Sequence, residues 1–313
     1  MLKKIVNNKI IFFSKKILKK FYNCILNIQK QINIIRFNKK ISKNYELIDI
    51  SQRKIILLSL LNQLHDFCTT NNIRYYLHAG TLLGAVRHKG FIPWDDDLDV
   101  SMPREDYEKF LKLIKSSNNT DFYVANYKNV KYYPPAFSKF CRKGTEAVIN
   151  RKFCGYGIGI DIFPIDGFPN DINERDIWFN KHKEYFFNVY LDKVFFELYG
   201  EKNPIKYISR KLKQIIVNSN KAAKNINENA KKNIFSISEY AGCSVGIFRG
   251  KPEIAKRESF EDKIEIEFEG HKYNAPIGWK DILTSIYGSD FMQPPPENKR
   301  TSTHEEDYYI KRK

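Results

Sequence analysis

Residues 1–43 contain no aspartate or glutamate against twelve lysines and arginines, whereas the other 270 residues hold 41 bases and 36 acids. The formal charge of +17 is therefore a basic arm on a nearly balanced body. Such a body lacks the electrostatic footprint of a nucleic-acid-binding domain, and no known RNA-binding motif accompanies it, so no nucleic-acid partner is expected. No apolar run approaches the ~18 residues needed to cross a bilayer. Lysines interrupt any signal-peptide core in the arm, and no small-residue cleavage site follows. Cysteine is sparse: Cys24, Cys68, Cys141, Cys154 and Cys243 are scattered, odd in number and form no Cys-x-x-Cys pair. They read as reduced, buried thiols of a cytoplasmic protein, which excludes a disulfide framework and a cysteine metal site. Internal repeats are absent, and 313 residues suffice for one sizeable core or two small ones.

What the arm does contain is an apolar stripe. Val6, Ile10, Phe13, Ile17, Phe21, Ile25, Ile28, Ile32 and Ile35 recur at helical spacing among lysines. A long amphipathic helix with a Lys-rich polar face fits in-plane attachment to an anionic membrane surface. The alternative is a stripe that packs on the protein's own body. The lack of any acid favours the membrane, so a basic amphipathic helix over residues 1–45 and peripheral attachment through residues 1–43 at the inner face are expected. Residues 46–313 then form the main domain, with a core over about 50–170, a helical region over about 171–235 and a C-terminal part over about 236–313.

The densest chemistry lies at residues 80–100. Asp97-Leu98-Asp99-Val100 alternates acid and aliphatic, so a strand there puts Asp97 and Asp99 on one face. Asp95 continues that face, whereas Asp96 belongs to the turn after Pro93-Trp94. Like charges at this density repel, and a fold tolerates them mainly when a cation sits among them. An all-oxygen donor set suits a hard ion, Mg²⁺ or Mn²⁺. A solvated acidic turn is the competing reading, and Ile92, Trp94, Leu98 and Val100 argue against it by sending the backbone into a core.

Upstream, Ile73 to Ala79 reads as a strand and Thr81 to His88 as a short helix. Gly80 permits the tight turn between them and Thr81 caps the helix, whose free N–H groups form an anion site. A third acid is sought at Gly157-Ile-Gly-Ile-Asp161-Ile-Phe-Pro164, where Asp161 stands opposite three isoleucines beside two glycines. Asp166 reads as a turn residue. Arg87, His88 and Lys89 lie between the phosphate turn and the acids, and Lys139 and Arg142 sit on or after a strand facing the same region, so these bases grip a phosphate-bearing substrate. His88 is given no catalytic role. Arg104 pairs with a neighbouring acid. Arg300 and His304 read as solvated tail residues, with closure over the site as the alternative. Tyr75, Tyr132 and Tyr133 are available to stack on a base or choline group.

Elsewhere, helices are expected from Ser51 to about Asn71, from Pro103 to about Ile114, and from Trp178 to Leu198. Tyr123–Ala125 and Ala136–Phe140 read as strands. Ile205 to Asn233 reads as an exposed helical hairpin or lid, and Ile264–Phe268 with Lys272–Ala275 as a hairpin around Glu269-Gly270.

The run Gly80-Thr-Leu-Leu-Gly-Ala-Val-Arg-His-Lys-Gly-Phe-Ile-Pro-Trp-Asp-Asp-Asp-Leu-Asp-Val100, followed by Met102-Pro-Arg-Glu-Asp-Tyr107, resembles the LicD family. That family includes bacterial phosphocholine transferases and, more distantly, fukutin and fukutin-related protein. Gly159-Ile-Asp-Ile-Phe-Pro-Ile-Asp-Gly167 and Ile286-Tyr-Gly-Ser-Asp-Phe-Met-Gln-Pro-Pro-Pro296 extend the likeness over about residues 50–305, with a diverged middle. The resemblance implies an α+β, nucleotidyltransferase-like mixed sheet flanked by helices. It also implies a Mg²⁺-dependent phosphotransferase that moves a phosphate-linked group, such as phosphocholine, from a nucleotide-diphospho donor (CDP-linked) to a glycan or lipid-linked glycan of the cell surface. Carried onto this chain, Gly80 and Thr81 are the phosphate contact, Asp97 and Asp99 the paired metal ligands, and Asp161 the third acid, as ligand or base. Nothing here resembles the zinc-binding insertion of the animal members, so no zinc is inferred. Nucleotidyl transfer to another acceptor, or a catalytically inactive membrane-bound scaffold, is the alternative.

Overall fold

The computed structural model describes residues 43–117, 120–130, 133, 135–149, 151–189, 218–245, 253–301 and 306–312, together with single positions between 24 and 41. Those single positions are helical, and among them Ile28, Ile32 and Ile35 are exposed. The rest of the expected N-terminal helix, residues 190–217, Tyr132 and His304 lie outside the described residues.

Strand β1 (Tyr45–Ile48) leads into helix α1 (Ile50–Thr70), started by a capping box in which Asp49 and Gln52 each bond the other's backbone N–H. Leu57, Leu60, Leu61, Leu64 and Cys68 recur at helical spacing and are buried, and Asn71 ends the helix as expected. A two-residue strand, β2 (Tyr76–Leu77), then feeds helix α2 (Ala79–His88). The strand expected from Ile73 is shorter because Asp106 takes up the Arg74 amide and side chain, pulling that end out of the sheet.

Strand β3 (Asp99–Pro103) runs directly into helix α3 (Arg104–Ser116), which carries Glu105 and Asp106 in its first turn where the helix dipole favours acids. Strands β4 (Phe122–Ala125) and β5 (Ser138–Arg142) follow at the expected places. Next come β6 (Thr145–Ile149), β7 (Lys152–Phe153) and the ten-residue β8 (Gly159–Phe168).

Helices α4 (Ile172–Val189) and α5 (Ser219–Ala230) pack together. Strands β9 (Tyr240–Cys243) and β10 (Ala255–Lys256), the hairpin β11 (Lys263–Phe268) and β12 (His271–Pro276), helix α6 (Trp279–Tyr287) and strand β13 (Asp307–Lys311) complete the order. Glu269 and Gly270 both have positive φ, the turn geometry the sequence implied for that hairpin. Within α5, Ala222, Ala223, Ile226 and Ala230 are buried, so this part of the stretch read as an exposed lid is packed instead.

The main sheet has the order β10-β9-β8-β3-β2, with β5 also on β8 and β4 on β5. Strand β8 is parallel to β3 along one edge; its other edge pairs with β5 over Gly159–Ile162 and with β9 over Ile165–Phe168. Pro164, which has no N–H to donate, sits where the partner changes. A second, antiparallel sheet has the order β1-β13-β6-β7. This is the α+β mixed sheet flanked by helices that the sequence implied.

The faces of β8 divide the interior. Ile160 and Ile162 belong to the larger core cluster, Phe163 and Ile165 to the smaller one built with α5 and α6. Asp161 shares the face of Phe163 and Ile165, so a carboxylate stands where that apolar row would otherwise continue. Asp166 corrects the sequence reading. It is no turn residue but a buried member of β8, held by Nε and Nη2 of Arg104 at 2.7 and 2.6 Å. Cys68, Cys141, Cys154 and Cys243 are free, buried thiols, whereas Cys24 is exposed. Among the described residues, no helix is long and apolar enough to cross a membrane.

Candidate functional site

The site begins where α2 starts. His78, in extended conformation, is the residue before the helix, and Ala79 takes a positive φ of 43° to turn the chain. Gly80 therefore lies inside the first turn, not at the strand–helix junction. Its role is space: a Cβ there would lie 2.7 Å from Asp95 Oδ2. Thr81 does not cap the helix. Its Oγ1 accepts the Asp99 backbone N–H at 2.8 Å, while the His78 N–H donates to Asp99 O at 3.0 Å. These two bonds fasten the helix start to the first residue of β3.

Strand β3 begins at Asp99, two residues later than the alternation implied, and Asp95, Asp96 and Asp97 lie in the segment that approaches it. Leu98 and Val100 are buried, as the alternation requires. Asp96 stands apart from the other acids as expected, but not as a residue of the turn after Pro93-Trp94. It is buried and bound to Arg53 of α1 at 2.6 Å, a structural pair that also stacks Arg53 on Tyr308.

Asp99 and Asp161 are register partners across the parallel β3–β8 pair. Burial, and then the charges of Asp97, Asp161 and Asp95, push the Asp99 carboxyl well above the usual carboxylate range. Three of the four acids chosen from the sequence thus act electrostatically on the fourth, Asp99. Lys139, the antiparallel register partner of Asp161, reaches its Oδ1 at 2.7 Å. Burial opposes the Lys139 charge, but Asp161 outweighs it and the net shift is upward, so the ammonium stays protonated. Among the described residues, no three His, Cys, Asp or Glu side chains stand close enough together to hold a metal ion as they are placed. The donor chemistry nonetheless fits a hard divalent cation: oxygen ligands only, and a buried carboxyl whose neighbours disfavour its charge.

A cleft of about 730 Å³ opens beside this cluster. Gly80, Leu83, Arg87, Ile92, Trp94 and Asp95 form one wall; the other is Tyr287, Asp290, Phe291 and the segment from Gln293 to Thr301. Arg87 donates to the carbonyls of Phe291 and Gln293 at 2.9 and 3.5 Å. Its Nε also donates to His88 Nε2 at 2.9 Å, which requires the neutral ring; burial and the Arg87 charge push the His88 pKa down accordingly.

Not every expected base reaches the site. Lys89 is the exposed C-cap of α2 and lines no part of the cleft. Arg142 lies three residues from Lys139 on β5, hence on the opposite face, and its side chain turns to Asp121 at 3.7 Å. Tyr75 and Tyr133 are buried and have no ring surface to offer a ligand. Trp94, passed over as a core residue, is the aromatic that borders the cleft. Arg300 corrects the tail reading, because its guanidinium lies 5.5 Å above the Trp94 ring. The signal in the sequence was Pro294-Pro295-Pro296, whose fixed φ angles hold the strap in an extended path.

Comparison with known proteins agrees with this geometry. The family model described as LicD/FKTN/FKRP, nucleotidyltransferase domain, matches residues 72–196. A lipopolysaccharide cholinephosphotransferase LicD of Haemophilus influenzae is 29% identical over 267 residues, covering 84% of this chain and 98% of that protein. An uncharacterized protein of Rickettsia prowazekii is 30% identical over 198 residues, 61% of this chain and 65% of that one. Mouse and human ribitol 5-phosphate transferase FKRP share 53% identity over 34 residues, 11% of this chain and 7% of theirs. Strand β3, strand β8 and the start of α2 all fall inside the matched segment, and residues 72–196 form a LicD-family nucleotidyltransferase domain.

Proposed function

We propose that this chain is a metal-dependent phosphotransferase that moves a phosphate-linked group from a nucleotide-diphospho donor to a glycan acceptor. The observation that carries the reading is the bond from the Asp99 amide to the Thr81 hydroxyl, at 2.8 Å, which joins a phosphate-type helix start to an acid cluster at the edge of one cleft. The likeness to a lipopolysaccharide cholinephosphotransferase over most of both chains supports phosphocholine as the group and a cell-surface glycan as the acceptor.

In this reading the free N–H groups of the first turn of α2 receive a donor phosphate, and Gly80 keeps a side chain out of its path. Asp95, Asp97, Asp99 and Asp161 would hold Mg²⁺ or Mn²⁺. A cation bound there supplies neutralisation of the diphosphate and of the departing nucleoside monophosphate. Lys139 fixes the Asp161 carboxylate on the rigid centre of the sheet, so that it faces the acceptor hydroxyl in one orientation. Arg87, anchored on two carbonyls, keeps its charge toward the cleft. Exposed Ile28, Ile32 and Ile35 support attachment of the basic arm to an anionic membrane at the inner face, where lipid-linked acceptors lie.

The test is release of nucleoside monophosphate from a panel of CDP-alcohols and sugar nucleotides, with Mg²⁺ and a glycan acceptor. CDP-choline is expected to yield CMP. Release of pyrophosphate from a nucleoside triphosphate, with none from any diphospho donor, would overturn the proposal in favour of nucleotidyl transfer.

A further inference from the structure

The treatment of arginines in this protein is uneven. Arg53, Arg74, Arg104, Arg142 and Arg257 each face a carboxylate: Asp96, Asp106, Asp166, Asp121 and Glu261. Arg175 instead bonds the Asn170 carbonyl and lies over the Tyr240 ring, but it lines no part of the cleft. Arg87 and Arg300, on opposite walls of the cleft, have no carboxylate within ion-pair reach among the described residues. Each is oriented by main-chain carbonyls instead: Arg87 by Phe291 and Gln293, Arg300 by Pro295 through its Nε at 2.8 Å. Lys299 adds a third cation to the same wall as Arg300. Asp95 and Asp290 also border the cleft.

The two charges act on one another. Burial disfavours the Arg87 charge, and Arg300 adds to that effect against the opposing influence of Tyr287. A fold that holds two guanidiniums in mutual repulsion, aims both with carbonyls and withholds a carboxylate has built an anion site. Arg300 meanwhile rests over the Trp94 indole, an attractive position for a cation without its anion.

Building on the phosphotransferase reading, we infer that Arg300 is a second donor-binding residue, which closes with Arg87 on the diphosphate of the nucleotide donor. The terminal N–H donors left over, Nη2 of Arg87 and the two Nη of Arg300, come from opposite walls and match two linked phosphates. A single phosphate engages only one of them fully. Arg300 therefore reads the diphosphate, and the strap from Gln293 to Thr301 carries it to the donor.

Calorimetry on the full chain with Mg²⁺ present, using CDP, CMP and inorganic pyrophosphate as probes, tests this. Wild-type protein should bind CDP more tightly than CMP. Arg300→Gln should weaken CDP and pyrophosphate by about tenfold or more and CMP by less than about threefold, with Arg300→Lys in between, since it keeps the charge but loses the fork. Because Arg300 is exposed, both variants should melt at the wild-type temperature. Unchanged CDP affinity in Arg300→Gln, or an equal loss for CDP and CMP, overturns the role of Arg300 while leaving the phosphotransferase reading in place. Wild-type protein that binds none of the three probes defeats both.

Discussion

Thr81 and Asp99 are joined by a buried bond from the Asp99 amide to the Thr81 hydroxyl, 2.8 Å long, between residues 18 positions apart. The helix start and the acid-bearing strand therefore move as one body. Thr81→Val keeps the shape but leaves the Asp99 N–H buried without an acceptor, which costs about 1–3 kcal/mol. Turnover should fall by more than that stability loss accounts for, because phosphate contact and acids lose their common register. Thr81→Ser should restore both. Urea melts paired with initial rates check this; a Thr81→Val protein with wild-type turnover would mean that the tie is structural only.

Removing a carboxylate from a crowded cluster has opposite effects on stability and chemistry. Asp97 is one of the charges that push Asp99 upward, so Asp97→Asn relieves repulsion and the melting temperature should hold or rise. Turnover should drop by orders of magnitude, given the several kcal/mol that a bound cation contributes. Retention of more than about a tenth of the activity would remove Asp97 from the ligand set.

Gly80 offers a more surgical change. Gly80→Ala improves helix propensity by about 1 kcal/mol but places a methyl 2.7 Å from Asp95 Oδ2, so Asp95 must move. The protein should fold normally and bind CDP and Mg²⁺ more weakly by calorimetry. Gly80→Val, which also fills the phosphate's approach, should abolish CDP binding. A folded Gly80→Val protein with unaltered CDP affinity would show that the phosphate binds elsewhere.

Much of the site was legible because its signals are local. Alternation at Leu98 and Val100 placed Asp99, and glycines flanking Ile158 and Ile160 marked the strand of Asp161. What escaped depends on pairings that no local pattern encodes. Arg104 meets Asp166 62 positions away, so the acid looked like a turn residue beside Gly167. Arg142 and Lys139 share a strand, yet an odd offset sends them to opposite faces, and only the register with β8 says which face matters. Arg300 reaches Trp94 through a chain reversal at α6 and the proline strap, a tertiary fact invisible to periodicity.

His182 gives the fold an acid-sensitive lock. Its ring is buried, stacks on Trp178 at 4.1 Å and meets Asn229 at 3.0 Å; burial lowers its pKa from 6.5 to about 4. Below pH 6.5 the unfolded chain takes up a proton that the native ring refuses, so stability falls as pH drops from 6.5 toward 4. The loss at pH 4.5 should be about 2 kcal/mol, readable as the difference between denaturant melts at pH 7 and pH 4.5. In His182→Gln that difference should shrink by the same amount. A variant whose stability falls with pH as steeply as the wild type would place the acid sensitivity in other groups.

Deleting residues 1–43 separates location from chemistry. The cut removes twelve positive charges and the isoleucine stripe, but ends before β1, whose pairing with β13 closes the second sheet. If the arm anchors the protein, the truncated chain should cease to sediment with anionic liposomes and still release CMP with a soluble acceptor. Binding of the full-length protein should weaken with added salt without vanishing, because the lysine attraction is screened while burial of the exposed Ile28, Ile32 and Ile35 is not. The opposite outcome is equally readable. Should deletion leave liposome binding intact and make the protein aggregate, the stripe covers the body of the enzyme, and the exposed isoleucines await a partner within the chain.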